Sequence, residues 1–474
     1  MRKELLAVFS GFPDHHFSEE ITKRLREELT VRKSIVFITA CPSEYAQNDS
    51  DSDGMHEMFA EQGLAFEKHC VIDERTEASA AKELVENADC IFLMGGGVCE
   101  EQLALIRNKD CYEALLDCHA AIFGVSAGSM NMARNTVDFF ESMEPFPGLC
   151  FTNITVSCHH DPADTWRYEQ TLKMSESRTV YAMEDMSAFF IKGGKIDVVG
   201  TIYHAENREL RLITEEDIHE LEQDEFRRVF DTIPDQFDKF RPRYSEELFA
   251  FLNERAQIAP GKSVLEIGPG TGQATEPVLR TGCDYHAIEL GEHLYRKMKE
   301  KYGKLPNFDI VNDDFITHDF GDMKFDMIYS AATIQWIPQD IAFAKCFELL
   351  KEGGILAMML TISEYRSDNE ALYEKIQALY DKYYKPEIPY THGKFNYTAA
   401  PEYGYLEVEK YEFKGQRIFN ADEYVQFSGT HCDHIVIPEP IQNEFFKGLK
   451  KAVLDAGDRI VFNDTYVLYL AKKA

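Results

Sequence analysis

The chain has 474 residues, 44% of them hydrophobic and 28% charged, and a rule of one domain per ~150 residues predicts two or three domains rather than one core. Its 82 Asp and Glu against 50 Lys and Arg leave a formal charge of −32, which repels phosphate backbones and anionic lipid and so argues against nucleic-acid and membrane partners. Eleven cysteines with no C-x-x-C pair or zinc-like spacing predict reduced, buried thiols and a cytosolic compartment; the start MRKELLAVF is too short and charged for a signal peptide, and no run of about 18 apolar residues occurs.

Taken in chain order, short apolar runs alternate with amphipathic stretches: LLAVFSGF, then SEEITKRLREEL, SIVFITA, DCIFLMGGG and AAIFGVSAG. Strands alternating with helical patterns predict βαβ units and a largely parallel sheet. SAFFIKGGKIDVVG predicts a hairpin about Gly193 and Gly194, and RELRLI (Arg208 to Ile213) a last edge-like strand. TEEDIHELEQDEFRRVF, residues 214–230, is charged with apolar positions at helical spacing and predicts a linking helix. The expected domains are therefore 1–215 and 225–474.

The segment GVSAG (Gly124 to Gly128) has the form G-x-S-x-G, in which two glycines permit a sharp strand-to-helix turn around Ser126. A plain small-residue corner has the same pattern, so the partners decide between the two. Gly95-Gly96-Gly97 after the strand CIFLM, together with Ala127 after the serine, can offer backbone N–H groups to an oxyanion. His159 and His160 end TNITVSCHH, and Glu184 and Asp185 end TVYAM; either acid can orient an imidazole.

Together MGGG, GVSAGS, SCHH and EDMSAFF resemble the dipeptidase E and cyanophycinase family of serine peptidases, relatives of the class I glutamine amidotransferases. The resemblance covers residues 1–213. It implies a glutamine amidotransferase-like, flavodoxin-like sheet with Ser126 as nucleophile, His159 as base and Asp185 as acid. Gly96 and Ala127 would then be the oxyanion donors, and Arg167 in WRYEQ would grip a substrate carboxylate. The chain departs from the family pattern at Val98-Cys99, where Asn-Thr is usual, at His160, where the family has an aromatic residue, and at Glu184 before the acid. A glutamine amidotransferase is disfavoured because serine stands at the nucleophile position.

A second α/β pattern follows: SVLEIGPGTG, YHAIEL, FDIVNDDF, FDMIYSAAT and GGILAMML, with KYEFKGQRIF and DTYVLYLA as closing antiparallel strands. The strand running into G-x-G-x-G, Glu289 at the end of the next strand and Asp314-Phe315 at the end of the third point to a nucleotide-like cofactor. A pyridine dinucleotide would place the third glycine later. Residues 230–474 resemble class I S-adenosylmethionine-dependent methyltransferases of trans-aconitate methyltransferase type. That resemblance implies a Rossmann-like sheet in which Glu266, Gly268, Gly270 and Gly272 cradle the methionine moiety, Glu289 holds the ribose, and Asp314 and Phe315 hold the adenine. Relatives have His-Trp where this chain has Gln335-Trp336, which suits a carboxylate acceptor needing no base. Tyr380, Tyr383, Tyr384, Tyr390, Thr430 and His431 are candidate acceptor-selecting residues.

The expectation is an α/β protein of two doubly wound domains, a bifunctional cytosolic enzyme joining a serine peptidase-type hydrolase to a methyltransferase that uses S-adenosylmethionine and no metal. Small molecules or short peptides are the expected partners, and self-association stays open. The alternative is a methyltransferase whose first domain is a non-catalytic binding or assembly module.

Overall fold

The computed structural model describes residues 5–97, 99–137, 145–176, 178–385, 395–406, 408–438 and 440–473. Val98 and Tyr390, both singled out above, lie outside them. The chain divides into two compact units, Met1–Phe226 and Arg227–Ala474. Each is an α/β layer structure with its own mostly parallel sheet.

In the first unit, seven described strands form one sheet in the order Lys195–Val199, Ala188–Lys192, Leu6–Phe9, Ala121–Val125, Cys90–Leu93, Ser34–Ile38, Lys68–Ile72. The five from Leu6–Phe9 onward are parallel; the GG hairpin joins them antiparallel, Ala188–Lys192 against Leu6–Phe9. The parallel strands read as continuous apolar runs because both faces are covered: Phe9, Phe92 and Phe123 pack on one side, Val8, Ile91 and Ile122 on the other. Helix Glu19–Glu28 illustrates the pattern: Ser18 accepts from the Ile21 N–H as N-cap, and Ile21 and Leu25 bury on the sheet. The strand expected from RELRLI is the edge Glu209–Leu212 of a separate four-stranded sheet with Ile202–Glu206, Val180–Met183 and Val156–Ser157.

The segment expected as a linker contains helix Glu215–Phe226, whose Leu221 enters the first unit's core. Its Glu225 carboxylate accepts from Thr152 Oγ1 and from the Asn153 N–H, both at 2.8 Å.

The second unit's sheet runs Phe308–Asn312, Asp284–Glu289, Ser263–Ile267, Phe325–Ala331, Leu350–Glu364, Ile460–Lys472, Glu409–Phe419. Its first five strands are parallel and the last two antiparallel. Strand order reverses beside Ser263–Ile267, and open α/β sheets place their ligand crevice at such a reversal. No described helix is long and apolar enough to cross a membrane. None of the eleven cysteines forms a disulfide among the described residues.

Candidate active sites

Ser126 follows strand Ala121–Val125 at φ 54°, ψ −120°, and begins the short helix Ala127–Asn131. A non-glycine residue held there stores of order 1–3 kcal/mol of strain, which the surrounding packing must hold. Close approach explains the flanking glycines: a Cβ on Gly128 would strike the Leu93 carbonyl, and one on Gly124 would lie 2.8 Å from the Gly128 carbonyl oxygen. The backbone N–H of Ser126 donates to the Ser10 carbonyl at 3.1 Å, so the turn is pinned to the end of the neighbouring strand.

His159 Nε2 lies 2.9 Å from Ser126 Oγ, and its Nδ1 lies 2.6 Å from Asp185 Oδ1. A carboxylate accepts only, so Nδ1–H donates to Asp185 and Nε2 is left to accept from the serine hydroxyl. Of the two candidate acids, Glu184 is committed elsewhere, accepting from Tyr203 O–H at 2.8 Å. His159 comes two residues after the short strand Val156–Ser157 and holds a left-handed backbone, φ 57°.

Two residues that the sequence pattern did not single out build this geometry. Ser10 Oγ accepts from the His159 N–H at 2.7 Å and donates to the Met183 carbonyl at 2.9 Å, tying the base to the strand that leads to Asp185. Gly11 lies so close that a Cβ there would strike Asp185 Oδ1 and the His159 ring. The only sequence signal was their place, S-G directly after the first strand.

Gly95 lies against the elbow, where a Cβ would be 3.1 Å from Ser126 Cβ, whereas a Cβ on Gly96 would meet Ala40 Cβ at 2.7 Å and Cys41 Sγ at 2.9 Å. Ala127 supplies a first-turn N–H with no intrahelical acceptor. Arg167 sits in the first turn of helix Thr165–Met174, where the Asp164 N-cap accepts its backbone N–H; its Nη1 is 3.5 Å from the Cys158 carbonyl, one residue before the base. His160 is 3% exposed among Tyr168 and Tyr203, both ring nitrogens without hydrogen-bond partners, and burial lowers its pKa. It thus fills the aromatic position as a neutral ring.

In the second unit a cavity of about 380 Å³ lies at the strand ends, lined among others by Gly268, Gly270, Glu289, Asp314, Phe315 and Trp336. Gly268, Gly270 and Gly272 all take positive φ, which the tight loop requires. Glu289 is 5% exposed; one oxygen accepts from the Gly270 N–H at 2.8 Å, the other from the Gly291 N–H at 3.0 Å, and no cation pairs with it among the described residues. Burial pushes its pKa up to about 7. A buried carboxylate with spare lone pairs at a strand end suits a ribose diol.

Of the remaining cofactor candidates, Asp314 and Phe315 line the cavity and two others do not. Glu266 and Gly272 are not among the cavity-lining residues. Glu266 alternates inward on its strand, where Thr275 Oγ1 at 2.5 Å and the Tyr285 hydroxyl donate to its Oε2; burial raises its pKa to about 7. It supports the loop from below. Asp314 lines the cavity but is held by a two-point pair to Arg227, 2.9 and 3.0 Å, an interaction across 87 positions that no local pattern announces. Phe315 is 4% exposed beside Phe320. Of the acceptor candidates, His431 lines the cavity; Tyr384 reaches it through Asp433, whose carboxylate accepts the Tyr384 hydroxyl at 2.9 Å. Tyr380 and Tyr383 pack in a separate apolar cluster, and Thr430 Oγ1 donates to the Phe427 carbonyl.

Comparison with known proteins finds family matches in both units. Residues 5–199 match peptidase family S51, and residues 265–358 match a methyltransferase domain. A ribosomal RNA small subunit methyltransferase A of Borreliella burgdorferi is 26% identical over 165 residues, 33% of this chain and 57% of that protein. The chain therefore spans little more than half the length of that relative. An uncharacterized methyltransferase of Schizosaccharomyces pombe is 21% identical over 256 residues, 52% of this chain and 97% of that protein. Among solved structures, a peptidase from an acI-B1 Actinobacterium is 16% identical, covering 45% of this chain and 94% of its own, with a TM-score of 0.37.

Proposed function

From a chain that carries both a peptidase family S51 domain and a methyltransferase domain, we propose a bifunctional cytosolic enzyme. One site is a serine hydrolase for small peptides or amides; the other is an S-adenosylmethionine-dependent methyltransferase for a small molecule that accepts at a carboxylate oxygen. The observation that carries the first half is the continuous hydrogen-bonded line Asp185–His159–Ser126. Ser126 Oγ attacks the carbonyl carbon while His159 Nε2 takes its proton. Asp185 keeps the ring in the required tautomer and stabilises the imidazolium. The N–H groups of Gly96 and Ala127 receive the oxyanion, and the same imidazolium returns its proton to the leaving amine. Arg167 holds an acidic group of the substrate.

In the second unit Gly268 and Gly270 would line the cofactor, Glu289 would take the ribose hydroxyls, and Phe315 would sit by the adenine. Asp314 joins that set only with Arg227 as its companion. When bound, S-adenosylmethionine supplies a methyl group on an already activated sulfonium. The residues of this chain then have to position the acceptor and exclude water; Phe230 against Trp336, ring centroids 5.4 Å apart, forms an apolar wall for that purpose. The net charge of −32 repels a polyanion and so argues against the nucleic acid named for the Borreliella relative.

A fluorophosphonate probe tests the hydrolase half: wild-type protein should label and Ser126→Ala should not. Calorimetry with S-adenosylhomocysteine tests the other half, with Glu289→Ala expected to weaken binding by about 1–3 kcal/mol. Unlabelled wild type would leave the first unit as a binding module.

A further inference from the structure

Between the glycine turn and the nucleophile elbow of the first unit lies a buried pair of amides outside the Ser126–His159–Asp185 line. Helix Cys99–Asn108 follows the glycine turn, and its buried side carries Cys99, Gln102, Leu103 and Ile106 at helical spacing, an apolar stripe interrupted by one glutamine. Gln102 is 0% exposed, and so is Asn131, the last residue of the elbow helix Ala127–Asn131.

The two side chains join the turn to the elbow. Gln102 Nε2 donates to the Met94 carbonyl at 3.1 Å and to the Ile38 carbonyl at 2.9 Å. Asn131 Nδ2 donates to Gln102 Oε1 at 3.0 Å and to the Cys99 carbonyl at 2.9 Å. Met94 directly precedes Gly95, so an unbroken run of hydrogen bonds links the start of the glycine turn to the end of the elbow helix.

Stability does not call for this pair. An apolar side chain could fill the stripe without a desolvation cost, the Ile38 carbonyl already accepts from the Met94 N–H at 2.9 Å, and Asn131 Oδ1 is buried with no hydrogen-bond partner among the described residues. What the amides add is a fixed spacing. The glycine turn and the elbow follow neighbouring parallel strands, Cys90–Leu93 and Ala121–Val125, and the glycines at Gly95 and Gly128 permit close approach without holding it. An oxyanion site shared between two such segments works only while its N–H groups keep their separation, and a misplacement of ~1 Å costs on the order of a hundredfold in rate. We propose that Gln102 and Asn131 are positioning residues of the hydrolase, setting the distance between the N–H groups of Gly96 and Ala127. The inference rests on the hydrolase reading of this unit.

The test is the kinetics of fluorophosphonate labelling on the full chain, resolved into a half-saturating probe concentration and a limiting rate. Gln102→Met and Asn131→Ala should each lower the limiting rate about tenfold to a hundredfold, with the half-saturating concentration and the pH midpoint of labelling as in wild type. The double variant should be no slower than the slower single, because both substitutions break one tie. Leu105→Ala, a buried residue of the same helix, reads the effect of lost stability alone and should label at the wild-type rate. Should one single variant fail to fold, the other carries the comparison with Leu105→Ala. Unchanged limiting rates, losses that multiply in the double variant, a shifted pH midpoint, or an equal loss in Leu105→Ala overturns the proposal and leaves the hydrolase reading standing. Wild-type protein that does not label overturns both.

Discussion

At Gly11 a single methyl group would meet both Asp185 Oδ1 and the His159 ring, yet the position is not one of positive φ, so the collision is the whole effect of substitution. Gly11→Ala must push the imidazole or the carboxylate out of line, and overpacking of this kind costs about 1–3 kcal/mol. The expected result is a folded protein whose fluorophosphonate labelling rate falls on the order of a thousandfold, since the three groups act as a unit. Labelling at the wild-type rate would show that the His159–Asp185 hydrogen bond is dispensable. Ser10→Ala is the milder companion: it removes the acceptor of the His159 N–H at 2.7 Å and leaves the ring free to tilt. Its labelling should fall between that of Gly11→Ala and wild type. Neither residue stands out in the sequence, because S-G after a strand is common and its meaning depends on residues about 150 and 175 positions away.

Elements were more legible than the contacts between them. Apolar runs such as AIFGV and SVLEI, buried on both faces, announce parallel strands, and the GG pair announces the hairpin between Ala188–Lys192 and Lys195–Val199. The same rules mislead where a strand's neighbours decide its role. TNITVSCHH holds only the strand Val156–Ser157: the Asn153 N–H goes to Glu225 on helix Glu215–Phe226, and the Thr152 backbone makes only an isolated bridge to Ala133. Glu266 reads as a cofactor ligand by motif, yet strand alternation turns it to Tyr285 and Thr275. The charged helix Glu215–Phe226 gives a prediction at this scale. Glu225→Ala strips the acceptor from two buried donors and should destabilise the first unit by about 1–3 kcal/mol, with Asp224→Ala the smaller change. Urea unfolding followed by the Trp166 fluorescence of a Trp336→Phe background reads it; no shift in midpoint would mean that water replaces the carboxylate.

For the whole molecule, the two tryptophans fall one in each unit, so a Trp166→Phe protein reports the unfolding of Arg227–Ala474 through Trp336 alone. Among the carboxylates which that unit buries, Glu266 and Glu289 have pKa values that burial raises from 4.5 to about 7. Between about pH 4.5 and 7 the native state holds protons on them that the unfolded chain has released, so each stabilises below 4.5 and that stabilisation is lost as pH rises to 7. His431 and His434, their pKa values lowered by burial, act in the opposite sense: the unfolded chain binds protons that the native state refuses, and stability rises with pH until about 6.5. The two effects oppose one another in the wild type, so its own pH profile is a poor witness. Glu266→Gln isolates one of them. The amide keeps an acceptor for Tyr285 and Thr275 but cannot titrate, so relative to wild type the variant should gain about 3 kcal/mol between pH 4.5 and 7.5, at 1.36 kcal/mol per pKa unit. Urea titrations at the two pH values measure that difference directly. A stability gap between variant and wild type that does not change with pH would mean that Glu266 is ionised throughout, and that the hydroxyls of Tyr285 and Thr275 hold a buried anion beneath the glycine loop.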